Sequence, residues 1–432
     1  MQLRLLTLVS ISILFPFSLF AQWTNGQNAN YVVGQPDFTS DIHALTQNGL
    51  EDPEAVAVDI IHHKLYVADG NRNRILRYNL PLTGNQPDAE IVFGQPNFTS
   101  NTPNITQNGL EDPRGLWVDH SGRLWVADES NHRVLWYNRA YAITTNQPNA
   151  DGVLGQPVFT SKGPRLTQDG MNFPCDVTVD ETGNLWVTDA QNDRIIRFDN
   201  AVLKANGANA DAVLGQPDFI SNATATTQNG LNDPEGITIS EDGTLWVSDD
   251  NNNRVLRYDN AAAKSNGANA DGVLGQPNFT SFGGQATQNG MNGSSGLTID
   301  CLNNLYVVDK RNERVLVYLD APNKANGANA DYVLGQPNFT SSTPNRSQNG
   351  LNFHSTSGLA VWDDYLFISD GVNSRIVAQQ ATIPLANAGL CKRAIILGPA
   401  QDIPTMSEWG LVIFGLLVVN LGVMGVQRME DI

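Results

Sequence analysis

The stretch Asp233–Asp259, "DPEGITISEDGTLWVSDDNNNRVLRYD", holds three short strand signals separated by two turns. "PEGITIS" and "TLWVSD" alternate apolar and polar residues, and "RVLRYD" follows in the same style. Alternation over four to six residues, bounded by Gly, Asn, Asp and Pro, predicts half-buried β-strands. No helical period of 3.6 runs through it. A fourth strand signal, "DAVLGQ" in this unit and "DGVLGQPNFTS" at Asp271–Ser281, joins each unit to the next.

The same set recurs. Taking the Gly of each GQP as a ruler gives Gly34, Gly94, Gly155, Gly215, Gly275 and Gly335, with a decayed copy, "IILGPAQ", at Gly398. Units of about 60 residues therefore fill most of the chain and leave little room for a second folded domain. Four short antiparallel strands per repeat is the composition of a propeller blade, and six blades closing into a ring remove the exposed sheet edges of an open array. The fold class predicted is all-β, a six-bladed β-propeller of four-stranded antiparallel blades over residues 22–400. Two copies of the outer-strand phrase, Tyr31–Gln35 and Ala394–Gly398, compete to close the last blade.

The middle of each unit resembles an NHL repeat: P-x-G, an apolar strand, a D-x-x-G turn, an aromatic strand, then D-x-x-N-x-R. The Asp and Arg of the last element are Asp69 and Arg74, Asp128 and Arg133, Asp189 and Arg194, Asp249 and Arg254, Asp309 and Arg314, Asp370 and Arg375. The Asn is Asn131, Asn192, Asn252, Asn312 and Asn373, with Arg72 in its place in the first unit. P-x-G decays in the third, fifth and sixth units. A pair needed six times is structural. Asp is expected to take backbone N–H groups of its own turn, and the Arg fork to reach an Asp, including one on the adjacent blade.

GQP is read as a strand stop, because Pro cannot donate to a ladder. Some 20 residues follow, carrying a Phe plug and an Asn-Gly or Asp-Gly turn at Gly49, Gly109, Gly170, Gly230, Gly290 and Gly350. Strand direction places this loop and the D-x-x-N-x-R turn on one face, which is the candidate interaction surface. "NKANGANADY"-type connections lie on the other.

Both ends read as addresses. Residues 1–21 carry Arg4, an apolar run and Ala21 before the expected cleavage site, the pattern of a secretory signal peptide. Residues 401–432 include an apolar run at 411–426, near the minimum for a membrane-spanning helix. Ile403, Pro404, Thr405, Ser407, Glu408, Trp409 and Gly410 resemble the IPTL-CTERM sorting signal of Gram-negative bacteria, with Met406 in place of the usual Leu. That resemblance implies an exosortase-type sorting protease as partner, delivery to the envelope or outer surface, and contact with the membrane through the C-terminal helix.

The formal net charge is −18, with 44 acidic and 26 basic residues. Such a surface repels phosphate backbones and argues against nucleic acid as partner. Three cysteines, Cys175, Cys301 and Cys391, give no disulfide framework and read as small buried residues or repeat drift. The six histidines, His43, His62, His63, His120, His132 and His354, do not recur in phase, and no nucleophile or zinc-protease motif occurs. No catalytic or metal residue is therefore assigned, and no cofactor. Structural calcium is left open by Asp88, Asp151, Asp211, Asp271 and Asp331 before the outer strands, where turn capping is the favoured reading. The N-x-[ST] triplets at Asn97 and Asn278 read as by-products of the repeat. The sequence points to an exported module that binds a protein or glycan without chemistry. Its alternatives are a channel-metal hydrolase or lyase, like the propeller lactonases, and a purely structural matrix protein.

Overall fold

The structure is a computed structural model that describes residues 23–354 and 357–382. It contains six four-stranded antiparallel sheets. The innermost strands are Pro53–Asp59, Pro113–Val118, Pro174–Val179, Pro234–Ile239, Ser294–Ile299 and Leu359–Trp362. Each lies against the next around a closed ring. We number the blades 1 to 6 in that order.

In blade 4 the order outward is Pro234–Ile239, Leu245–Asp249, Arg254–Tyr258 and Gly272–Leu274. These are the four segments the alternation predicts. The outer strand stops before Gly275, whose φ of +83° is costly for any side-chain-bearing residue. Among the described residues there is no α-helix; ten short 3-10 turns punctuate the strands.

Tyr31–Val33 closes the ring. It pairs antiparallel with Arg375–Gln380 and becomes the outer strand of blade 6, with Val32 opposite Val377. The seam is reinforced in phase: Gln348 Nε2 donates to Ala29 O at 2.8 Å. The competing copy, Ala394–Gly398, lies outside the described residues, as do the signal peptide with Ala21, the sorting motif from Ile403 to Gly410, and residues 411–426. Among the described residues no helix is long and apolar enough to cross a membrane.

The core consists of six layers between neighbouring blades. One packs Val67, Leu76 and Val92 of blade 1 against Trp362, Phe367 and Ile376 of blade 6. The plug residues Phe38, Phe98, Phe159, Phe219, Phe279 and Phe339 each pack on one of these layers. The outer edges are sealed by an Asn the sequence reading passed over. Val153 N donates to Asn206 Oδ1 at 3.1 Å, and Gly207 N donates back to Val153 O at 3.0 Å. Asn25, Asn85, Asn146, Asn266 and Asn326 make the same cross-blade bond. A capped edge offers no ladder to another chain.

Candidate interaction face and channel mouth

The D-x-x-N-x-R element is a buried staple. All six Asp and all six Arg side chains are fully buried. Each Arg Nε lies 2.6–2.8 Å from the Asp Oδ2 of its own blade. Of the two blades open to it, the Arg pairs within its own, because Asp and Arg are register partners on neighbouring strands, as Asp249 is to Arg254. The remaining donors hold the long loops. Nη2 donates to the carbonyls of Gly49, Gly109, Gly170, Gly230, Gly290 and Gly350 at 2.8–3.0 Å. Nη1 donates to the carbonyl of each plug Phe. The Asp Oδ1 accepts a loop N–H, from Glu51, Glu111, Asn172, Asn232, Asn292 or Asn352, rather than one from its own turn. Burial pushes Asp249 and Asp309 up to about 6 against the lowering effect of their Arg partners.

GQP carries a second staple in its Gln. Gln216 is 2% exposed and donates to Asp193 O at 2.8 Å and Ala223 O at 3.0 Å. Gln35, Gln95, Gln156, Gln276 and Gln336 repeat the pattern. A third tie uses the left-handed residue after the 3-10 turn of the D-x-x-N-x-R element in blades 1 to 5. Asn73, His132, Asp193, Asn253 and Glu313 each accept a backbone N–H of the next blade. Five residues of four kinds share only an acceptor, which explains why the repeat pattern hid them. It also absorbs His132, whose Nδ1 takes Phe173 N–H at 3.1 Å and whose pKa burial lowers.

Long loops and D-x-x-N-x-R turns are thus bonded together on one face. It exposes Ile42, Val158, Ile220 and Phe282, from four different loops. It also holds a cleft of ≈ 320 Å³ lined by Gln336, Pro337, Ser341, Thr343, Asn345 and Asn349. On the opposite face Asp151, Asp211, Asp271 and Asp331 cap turns by accepting the N–H of Asn138, Asp199, Asp259 and Leu319. Lys204, Lys264 and Lys324 pair with the last three of these.

The axial channel is nearly closed. The Gly of P-x-G explains this: a Cβ on Gly236 would lie 2.1 Å from Ser295 O, and one on Gly296 1.9 Å from Ser357 O. The space left between the inner strands is ≈ 30 Å³. Asp176 stands at this Gly position in blade 3, and burial pushes its carboxyl up to about 7.

At the mouth on the loop face, charges cluster. Arg114 Nε lies 2.9 Å from both Glu54 and Glu129, as charge pairing rather than aligned hydrogen bonds. Lys310 Nζ donates to Glu235 at 2.7 Å and Asp250 at 3.0 Å, and Arg311 also pairs with Asp250. Burial pushes Glu129 up to about 9 and Glu235 to about 8. These residues occupy positions where the six units disagree, so no in-phase reading could find them. Cys175 is a buried free thiol at this mouth, and Cys301 is disulfide-bonded.

The Teneurin NHL domain profile matches residues 42–317. The chain belongs to that NHL family. Human Teneurin-1 is similar at 23% identity over 291 residues, which is 60% of this chain and 10% of Teneurin-1. Mouse NHL repeat-containing protein 3 is 24% identical over 214 residues, 47% of this chain and 51% of that protein. The chain thus spans a tenth to about half of these relatives. Among solved structures, a Bacteroides thetaiotaomicron protein of unknown function aligns with a TM-score of 0.50 at 14% identity, covering 82% of this chain and 75% of its own. Streptogramin B lyase aligns at 0.44 and 13%, covering 80% and 96%. NHL propellers form a family of protein-interaction modules, and this chain has their architecture.

Proposed function

We propose that this NHL propeller is an exported, surface-sorted binding module whose loop face docks a protein or a surface glycan. The observation that carries this is the contrast between the two places a ligand could go. The space between the inner strands is ≈ 30 Å³, room for about two waters, whereas the loop face presents Ile42, Val158, Ile220 and Phe282 and a ≈ 320 Å³ cleft. Loops held on a rigid scaffold are where binding residues concentrate. The reading is therefore non-enzymatic. Export rests on the address-like segments 1–21 and 401–432, with an exosortase-type protease as processing partner.

The test is photo-crosslinking on intact cells, with benzoylphenylalanine placed at Phe282 or at Leu203 on the opposite face. A discrete adduct from Phe282, accessible to added protease, is expected. Adducts formed equally from Leu203, or none accessible outside the cell, would refute the proposal.

A further inference from the structure

The sixth unit breaks the repeat at the channel mouth. From the Gly of the loop turn to the inner Gly position the spacing is six residues in the first five units, as from Gly290 to Gly296, and eight from Gly350 to Gly358. The extra residues bring in His354, which has no counterpart in the other units. Its Nδ1 lies 3.2 Å from Asp52 Oδ2, at the start of blade 1. Donor atoms of Asp52, Glu54 and His354 all lie within 4.8 Å of one another.

A second observation points to a ligand. Asp52 is 5% exposed, and its Oδ1 is buried with no hydrogen-bond donor. Buried carboxylate oxygens are almost always paired, and an orphan one asks for a cation. Across the same mouth Lys310 sits between Glu235 and Asp250, so the molecule itself places a cation in the twin cluster, although Glu235 Oε2, like Asp112 Oδ1, is also buried without a donor. At the Asp52 cluster, Asn71 Nδ2 holds Asp52 Oδ2 at 3.1 Å and Arg114 holds Glu54, which fixes two carboxylates in place.

We propose that Asp52, Glu54 and His354 bind a divalent transition-metal ion of the zinc–manganese class. Two carboxylates and one imidazole suit such ions; calcium prefers oxygen alone. The remaining coordination positions would face the mouth, where a docked partner or water completes the shell. The inference does not depend on the nature of the partner.

The experiment is competition between the full-length, untagged protein and a chromophoric chelator for Zn²⁺, repeated with Mn²⁺ and Ca²⁺. One Zn²⁺ per chain is expected. Asp52→Asn and His354→Ala should each weaken it at least tenfold, while Glu235→Gln leaves it unchanged. Far-UV circular dichroism establishes that each variant is folded; should Asp52→Asn unfold, His354→Ala, at an exposed residue, carries the test alone. No stoichiometric Zn²⁺, equal affinity in the folded variants, loss that follows Glu235→Gln instead, or preference for Ca²⁺ would each overturn the site.

Discussion

Replacing Arg254 by Met keeps the side-chain stem and removes the guanidinium from a fully buried staple. Four interactions go: the pair with Asp249 at 2.7 Å, and the bonds to the carbonyls of Thr227, Gly230 and Phe279. Each orphaned carbonyl costs about 1 kcal/mol. Asp249, held up at about 6 by burial even with its cation, becomes neutral at pH 7 without it. Neutralising it across that one pH unit costs about 1.4 kcal/mol. The sum, about 4 kcal/mol at pH 7, lies in the range for breaking one partner out of a buried ion pair. The sign with pH follows from linkage. The folded carboxyl holds a proton more tightly than the unfolded one, so the charge part fades as pH falls through 6, leaving about 3 kcal/mol at pH 4 to 5. Urea unfolding followed by circular dichroism at the two pH values measures both. A loss under about 1.5 kcal/mol at pH 7, or one that grows on acidification, would refute the staple reasoning.

Gln216→Met, which removes the two bonds to Asp193 O and Ala223 O at constant volume, should cost about 2 kcal/mol in the same assay. His132 has a lowered folded pKa, so its contribution is present above its unfolded pKa of about 6.5 and lost as pH falls below it. His132→Asn keeps an acceptor for Phe173 N–H and should flatten the decline in melting temperature between pH 7 and 5. Asp176 runs the other way: held up at about 7, it makes the fold less stable as pH rises from 4 to 7, and Asp176→Asn should remove that slope. Gly296→Val forces a side chain onto Ser357 O and should lower stability by about 1–3 kcal/mol or more, read as a drop in urea midpoint.

Strand positions, blade count and the staple residues were legible because the ring asks six times for the same solution, and period-2 alternation survives drift. The blade of the Asp that pairs with each Arg was left open because a sequence shows that two charges recur but not that they are register partners across one turn. Gln216 and its five equivalents were visible in GQP yet read as punctuation, since Gly and Pro have stronger local signatures. The left-handed acceptors were hidden because Asn73, His132, Asp193 and Glu313 satisfy one N–H with different chemistry. Ring closure by Tyr31–Val33 was undecidable from two similar phrases; it rests on pairing with Arg375–Gln380. The channel-mouth charges were illegible for the opposite reason from the staples. They are out of phase by construction, since Arg114, Cys175 and Glu235 occupy one equivalent position in three successive blades and the mouth is built from their differences.

The most direct test of the docking face is saturable binding of the labelled full-length protein to parent cells that lack the endogenous chain, measured by flow cytometry. The account predicts that Ile220→Asp combined with Phe282→Asp weakens binding at least tenfold, while Leu203→Asp on the opposite face does not. Undiminished binding by the double variant, or loss on changing Leu203, would contradict it.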